Sequence, residues 1–253
     1  MNADEYDNLA RVERDHWYYS GKRRFVREWI GRTRPPRPSD TLLDCGAGTG
    51  IFAQEMESLC RVLVLDDHDE ALRLLRARFR PEQVLSLVNG EVPLSDGSLE
   101  YVTALDVLEH VPDDAAVVRG FHRLLKPGGI AVVTVPASMA LWSDWDVALH
   151  HFRRYRRSQL RALFPGAAWE LIHVNYTNVL VYPVVWAIRK WRAWRVPVAA
   201  KGMMAADSSQ QRTEDRMPPA ALNSLLRAQF VSLAHARVPF PFGVSLLLVA
   251  RRR

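Results

Sequence analysis

Apolar residues follow two different repeats along the chain, and the alternation between them predicts the layout of the fold. From residue 41 to residue 135, short apolar runs alternate with stretches of helical spacing. Strands are predicted at residues 41–44, 62–66, 84–88, 101–105 and 130–135, and helices at residues 51–59, 70–79 and 114–125. This alternation is typical of βαβ units, in which parallel strands form a sheet with helices on both faces.

The segments on either side of this region are richer in helical spacing. Residues 6–30 predict two N-terminal helices, with Gly21 as the break between them. The proline-rich residues 34–40 cannot continue a helix and predict a linker into the first strand. Towards the C-terminus, the predicted elements are strands at residues 169–174 and 244–250, with helices at residues 177–196 and 222–233 around a polar loop at residues 198–219.

Together these elements predict one α/β domain over residues 1–253, a Rossmann-like, seven-stranded, mostly parallel sheet with helices on both faces. Residues 1–40 would form an N-terminal helical lid and linker, residues 41–175 and 242–253 the core, and residues 176–241 a helical insertion or cap. A chain of 253 residues with 48% apolar composition is long enough to bury such a core.

Composition narrows the class of protein. No apolar run reaches the roughly 20 residues that a membrane-spanning helix needs, and the acidic start does not resemble a secretory signal. Two cysteines are too few for a disulfide framework, so a cytoplasmic location is expected. The net charge of +6 is carried mainly by arginine, which allows RNA, an anionic lipid surface or a phosphorylated substrate as a partner.

A glycine-rich turn at residues 46–50 follows the first core strand, which ends at Asp44. Glycines let the backbone pass close to a ligand at the carboxyl edge of a sheet. The dinucleotide fingerprint would need a further glycine where this chain has Ile51, which counts against a nicotinamide cofactor. Asp66 ends the next strand, about 20 residues after the turn, where a carboxylate can accept both ribose hydroxyls. Asp67 should face the other side.

Five motifs in order make the chain resemble the class I S-adenosylmethionine-dependent methyltransferases, in the small-molecule, ubiquinone-biosynthesis-like (type 11) group. They are LLDCGAGTG at residues 42–50, Asp66, VPLSDGSLE at residues 92–100, ALDVLEHV at residues 104–111 and LLKPGG at residues 124–129. The resemblance implies S-adenosylmethionine as cofactor, S-adenosylhomocysteine as product and no metal.

The resemblance also implies roles for individual residues. It places Asp44 and Gly46 at the amino-acid end of the cofactor, Asp66 at the ribose, and Asn89 with Gly90 at the adenine. Family members often carry an acid before the last pair, where this chain has Val88, so main-chain groups or Glu91 would make that contact. The cofactor-binding candidates are Asp44, Gly46, Ala47, Gly48, Asp66, Asp67, Asn89, Gly90, Asp106 and Val107.

Methyl transfer is an in-line displacement in which the protein aligns the acceptor and removes its proton, a task that suits histidine. The catalytic candidates are His151, His110 and Asp106. Residues 142–155 also resemble a bacterial type 11 subgroup, in which His151 is the histidine that aligns. The substrate candidates are Trp142, Asp146, Arg153, Arg154, Tyr155 and, in the lid, Tyr18. Residues 151–155 could equally form a buried polar network, or the arginines could clamp a phosphate or carboxylate.

The expected function is therefore methylation of an O or N atom of a small molecule, for example a lipid- or sugar-type intermediate. The alternatives are an RNA methyltransferase, favoured by net charge alone, and a catalytically inactive cofactor-binding partner subunit. A nucleic-acid partner is not expected, because no appended RNA-binding motif is found. The helix with Trp186, Trp191 and Trp194 allows three uses: peripheral membrane contact, a cap on a hydrophobic substrate, or a homodimer interface.

Overall fold

The computed structural model describes residues 10–195 and 217–253, without the side chains of residues 192–195. Its strands are β1 (Thr41–Cys45), β2 (Arg61–Leu65), β3 (Val84–Leu85), β4 (Leu99–Leu105), β5 (Leu125–Pro136), β6 (Trp169–Thr177) and β7 (Ser245–Arg252). Its helices are α1 (Trp17–Thr33), α2 (Ile51–Met56), α3 (Asp69–Arg78), α4 (Asp114–Leu124), α5 (Asp144–Ala148), α6 (Arg157–Ala162), α7 (Tyr182–Arg195) and α8 (Ala220–Ala234).

All seven strands join one sheet in the order β3-β2-β1-β4-β5-β7-β6. The first five are parallel, and β7 runs antiparallel to both β5 and β6. The predicted fold class, a mostly parallel Rossmann-like sheet, is therefore confirmed. Because β1, β2 and β4 are parallel neighbours, their carboxyl ends meet at one edge, where ligands bind in folds of this type.

Two apolar layers cover the sheet. On one face, Phe25, Ile30 and Phe230 pack with Leu247 and Val249 of β7. On the other face, helices α4 and α6 pack their apolar side chains against the opposite side of the strands, with Phe121 and Leu160 fully or almost fully buried. Burial on both faces explains why the central strands have nearly continuous apolar sequences.

The prediction of a helix break at Gly21 is wrong, because α1 runs without interruption from residue 17 to residue 33. Gly21 is instead the place where α1 and α8 approach each other. A Cβ atom at this position would lie 2.9 Å from Cδ1 of Phe230. The glycine therefore reflects close helix packing, a long-range contact that local sequence patterns do not reveal.

The late helical segment also differs from its predicted bounds. Strand β6 extends to Thr177, and α7 begins only at Tyr182. The side chain of Trp194, the predicted first helix before Ala10 and most of the predicted polar loop lie outside the described residues. Within the described ranges, no helix combines the length and apolar character needed to cross a bilayer.

Two glycines of α1 provide a matched test of the α1–α8 contact. A Cβ atom added at Gly31 would meet no other atom within 4 Å, whereas one added at Gly21 would meet Phe230. We expect Gly31→Ala to raise the free energy of unfolding by up to about 1 kcal/mol, through helix propensity. Gly21→Ala should lower it by about 1–3 kcal/mol, because the buried ring must shift. Denaturant unfolding measures both values, and equal effects of the two substitutions would contradict the packing described.

Candidate active site

A cavity of about 590 Å³ opens at the carboxyl edge of β1, β2 and β4. Its walls come from the glycine-rich turn, the start of α1, residues 145–154 and α7. The predicted site residues that line it are Tyr18, Asp44, Gly46, Ala47, Gly48, Asp66, Asp67, Asp106, Val107, His110, His151 and Arg154. The sequence candidates outside its lining are Asn89, Gly90, Trp142, Asp146, Arg153 and Tyr155.

The glycine-rich turn has the backbone conformation that its sequence predicts. Gly46 and Gly48 have φ angles of 63° and 57°, in the left-handed region that favours glycine. A Cβ on Gly46 would also lie 2.5 Å from a methyl group of Val107. The amide of Ala47 donates to the carbonyl of Leu65 at 3.0 Å, which ties the turn to the end of β2.

Two carboxyl groups stand beside this turn. Asp44 is buried and accepts a 2.6 Å hydrogen bond from the hydroxyl of Thr103, its register partner on β4. Burial, together with the charge of Asp66, raises the pKa of Asp44 to about 7. Asp66 accepts from the amides of Gly48 (2.9 Å) and His68 (3.1 Å), but burial still raises its pKa. Neither carboxyl group forms an ion pair among the described contacts, so a cationic group of a ligand could pair with them here.

Asp106 follows β4 and has a φ of 59°, unusual for a residue with a side chain. Its carboxylate forms an ion pair with Lys22 of α1 and accepts a 2.9 Å hydrogen bond from the hydroxyl of Thr134. Burial alone would raise the pKa of Asp106, but Lys22 lowers it. The Lys22 ammonium also lies 4.5 Å from the ring centroid of Tyr18. The sequence pattern does not single out Lys22, since nothing in a helical repeat distinguishes it from a solvent-facing lysine.

The chain preceding α1 is tied to the glycine-rich turn. The Glu13 carboxylate accepts a hydrogen bond from the hydroxyl of Thr49, and the guanidinium of Arg23 donates to the Glu13 carbonyl at 2.6 Å. Arg23 also pairs with Glu55 of α2 at 2.8 Å. These contacts hold the N-terminal segment against the cavity, and its role as a lid stays a prediction.

Asp146 lies at the centre of a charged network behind the opposite wall. Its carboxylate is fully buried and contacts Nδ1 of His151 at 3.0 Å, Nε of Arg154 at 2.6 Å and Nη1 of Arg189 at 3.5 Å. The amide of Ser143 donates to it at 2.9 Å. Burial would raise the pKa of Asp146, but the bonds from His151 and Arg154 lower it to about 2. The carboxylate is therefore ionised throughout the neutral range.

Arg189 is a second functional residue that the sequence pattern does not single out. It lies on α7, among the basic residues that the sequence assigns to a membrane, cap or dimer helix. In the structure its guanidinium also donates to the carbonyl of Leu141, and it lines the cavity with Val181 and Val185. The spacing of four residues between these three positions is the available signal, because it places them on one helix face.

Two further titratable groups adjoin His151. The rings of His110 and His151 meet edge to face, with centroids 4.6 Å apart. Desolvation by surrounding atoms and the neighbouring His151 lower the pKa of His110 to about 4. Glu109 is fully buried and neither carboxyl oxygen has a hydrogen-bond partner. One ligand atom from each of these three residues lies within 4.8 Å of the others, so the group could hold a metal ion.

The candidates outside the cavity lining have other contacts. The Tyr155 hydroxyl donates to Asp114 at 2.6 Å, and Arg153 pairs with the same carboxylate at 2.8 Å. These contacts match the alternative of a polar network that holds the loop. Asn89 and Gly90 form an exposed turn closed by two hydrogen bonds between Val88 and Glu91. The cofactor and substrate roles given to these residues stay predictions.

Comparison with known proteins agrees with this geometry. A family model described as a methyltransferase domain matches residues 17–174, more than half of the chain. A probable S-adenosylmethionine-dependent methyltransferase of Mycolicibacterium smegmatis is 30% identical over 51% of this chain and 52% of its own length. A ubiquinone biosynthesis O-methyltransferase of Albidiferax ferrireducens is 37% identical over 40% of this chain and 43% of its own length. The chain thus spans about half the length of these curated relatives.

A solved structure agrees over nearly the whole chain. It is a Thermotoga maritima protein described as an S-adenosylmethionine-dependent methyltransferase and possible histamine N-methyltransferase. The match has a TM-score of 0.61 and covers 99% of this chain and 96% of that one. At 15% identity, it supports the fold alone.

Proposed function

Because this chain belongs to the methyltransferase-domain family, we propose that it transfers a methyl group from S-adenosylmethionine to an O or N atom of a small molecule, with His151 as the base. The observation that carries the proposal is the 3.0 Å contact between Nδ1 of His151 and the buried carboxylate of Asp146, at the cavity wall. An ionised carboxylate accepts a hydrogen bond from Nδ1–H, which leaves Nε2 unprotonated and able to remove the proton of the acceptor.

The residues at the strand ends fit this cofactor. Asp44 would bind the α-ammonium group, because its buried carboxyl is ready to ionise beside a cation. Asp66 would accept the ribose hydroxyls, with Gly48 and Ala47 bringing the backbone close to the ligand. When bound, the sulfonium centre supplies an electrophilic methyl group. Alignment and proton removal belong to side chains of the protein.

Two arginines stabilise the ionised form of Asp146. Arg154 and Arg189 compensate its buried charge, so the carboxylate can stabilise the imidazolium that forms when His151 takes a proton. His110 is a weaker candidate for the base, since a pKa of about 4 makes it a poor proton acceptor near neutrality. Asp106 is held ionised by Lys22, and we assign it to positioning at the floor of the cavity.

The surface near the acceptor end of the cavity suggests an amphiphilic acceptor. Val181, just before α7, and Val185 of α7 line the cavity, while Val184, Trp186 and Ile188 of this helix are exposed. The preceding segment adds further exposed apolar side chains, namely Met139, Val147 and Phe152. Such a rim suits a cytoplasmic enzyme that contacts a membrane surface peripherally and takes a lipid-type intermediate.

The Asp44 assignment predicts a pH dependence of cofactor binding. If the ammonium group binds only the ionised carboxylate, the S-adenosylmethionine affinity should fall about 25-fold between pH 7.5 and pH 5.5, as Asp44 becomes protonated. Asp44→Asn should bind more weakly and show little pH dependence over this range. Calorimetry measures both. A wild-type affinity that does not change with pH, or normal pH dependence in the variant, would contradict the assignment.

The His151 assignment predicts that binding and turnover separate. We expect the protein to move tritium from methyl-labelled S-adenosylmethionine into a small molecule of an extract of its native cells. His151→Ala should reduce that transfer by about 10²–10⁴-fold, because the base is lost. Its cofactor affinity in calorimetry should stay at the wild-type value. His150→Ala, at an exposed neighbour outside the cavity lining, is the matched control. Full transfer by His151→Ala would refute the base.

A further inference from the structure

Glu109 is a buried carboxyl group that the proposed reaction does not use. It lies in the 3-10 turn Leu108–His110 and lines the cavity, yet both of its carboxyl oxygens lack a hydrogen-bond partner. Buried polar atoms are almost always paired in folded proteins, and leaving one unpaired costs about 1–3 kcal/mol. An unpaired carboxyl in the wall of a cavity therefore indicates a partner that arrives with a ligand.

The charged groups around Glu109 already have partners. Lys22 is paired with Asp106, and Arg154 and Arg189 are paired with Asp146. None of these cations makes a salt bridge with Glu109 among the described contacts, and its surroundings include the negative charge of Asp106. Burial, reinforced by that charge, raises the pKa of Glu109 well above its usual range. This shift favours the protonated form of the carboxyl, which can both donate and accept a hydrogen bond.

The position of Glu109 relates it to the base. One of its oxygens lies within 4.8 Å of a ring nitrogen of His151 and of a ring nitrogen of His110. A polar group of the acceptor placed between Glu109 and His151 could form a hydrogen bond with Glu109, while the adjacent acceptor atom, the one that is methylated, gives its proton to His151. A hydroxyl or an amine matches a protonated carboxyl, because each can donate and accept. A carboxylate or phosphate cannot donate, and would lie near the charge of Asp106 with the surrounding cations already paired.

We infer that Glu109 is the specificity-determining residue for the acceptor: it binds a hydroxyl or amine next to the atom that is methylated and excludes acceptors with an anionic group there. The inference rests on the proposed function, since it places the acceptor at His151. It also makes the predicted arginine clamp on a phosphate or carboxylate less favourable, because Arg154 is paired with Asp146 and Arg153 with Asp114. A site built to pair with a polar group discriminates strongly against ligands that lack it.

Two variants test the inference without large changes of volume. Glu109→Gln keeps a donor and an acceptor but cannot ionise, and Glu109→Leu keeps neither. With S-adenosylhomocysteine bound, calorimetry with phenol and with benzoate compares a hydroxyl and a carboxylate on the same ring. We expect phenol to bind the wild type and Glu109→Gln alike and Glu109→Leu about 10–100-fold more weakly. Benzoate should bind the wild type at least tenfold more weakly than phenol.

Infrared difference spectra provide an independent readout. The wild type minus Glu109→Gln should show the carbonyl band of a protonated carboxylic acid at pH 7, and phenol should shift that band. No such band, no phenol binding to the wild type, equal phenol affinity in Glu109→Leu, or benzoate binding as tight as phenol would each overturn the inference. Zn²⁺ binding by the wild type that Glu109→Gln abolishes would do so too, since the carboxyl would then be a metal ligand.

The same measurements separate this inference from the proposed function. S-adenosylhomocysteine should bind both variants with wild-type affinity, since Glu109 is assigned to the acceptor. If the wild type binds S-adenosylhomocysteine but phenol binds the wild type and Glu109→Leu equally well, the inference fails and the proposed function survives. If the wild type binds neither S-adenosylmethionine nor S-adenosylhomocysteine, the proposed function fails first.

Discussion

The charge of Asp146 is the constraint on which the cavity wall around His151 depends. A fully buried carboxylate is tolerated only when cations and amides compensate it. Here they come from three parts of the chain: the amide of Ser143 at the start of α5, Arg154 after it, and Arg189 on α7. Asp146 therefore fixes the loop, the late helix and the imidazole of His151 together. Its stabilising contribution is fully present above about pH 4 and is lost as the pH falls towards 2.

The sheet topology determines where the carboxyl groups predicted to bind the cofactor lie. Parallel pairing brings the ends of β1, β2 and β4 to one edge, so Asp44, Asp66 and Asp106 converge although they are far apart in sequence. Burial raises the pKa values of Asp44 and Asp66, whereas Lys22 lowers the pKa of Asp106. Asp44 and Asp66 are therefore suited to a cationic ligand, and Asp106 holds α1 in place through Lys22.

Much of this arrangement could be predicted from sequence, because strand ends, positive φ angles and apolar repeats are local properties. The glycine-rich turn and the sheet class belong to that group. Contacts between distant segments could not be predicted in the same way. The local pattern at Gly21 indicates a helix break, because the partner of this glycine, Phe230, lies on a helix about 200 residues later. Lys22, Arg189 and the unpaired carboxyl of Glu109 depend on the same kind of long-range packing.

The central claim is that Asp146 fixes His151 with its proton on Nδ1 and leaves Nε2 as the base. Nitrogen-15 NMR of histidine-labelled protein at pH 8 measures this directly, with the signals assigned by comparison with His151→Gln. We expect a protonated Nδ1 and an unprotonated Nε2 in the wild type and in Asp144→Asn, and a loss of this preference in Asp146→Asn. A wild-type imidazole that carries its proton on Nε2 would contradict it.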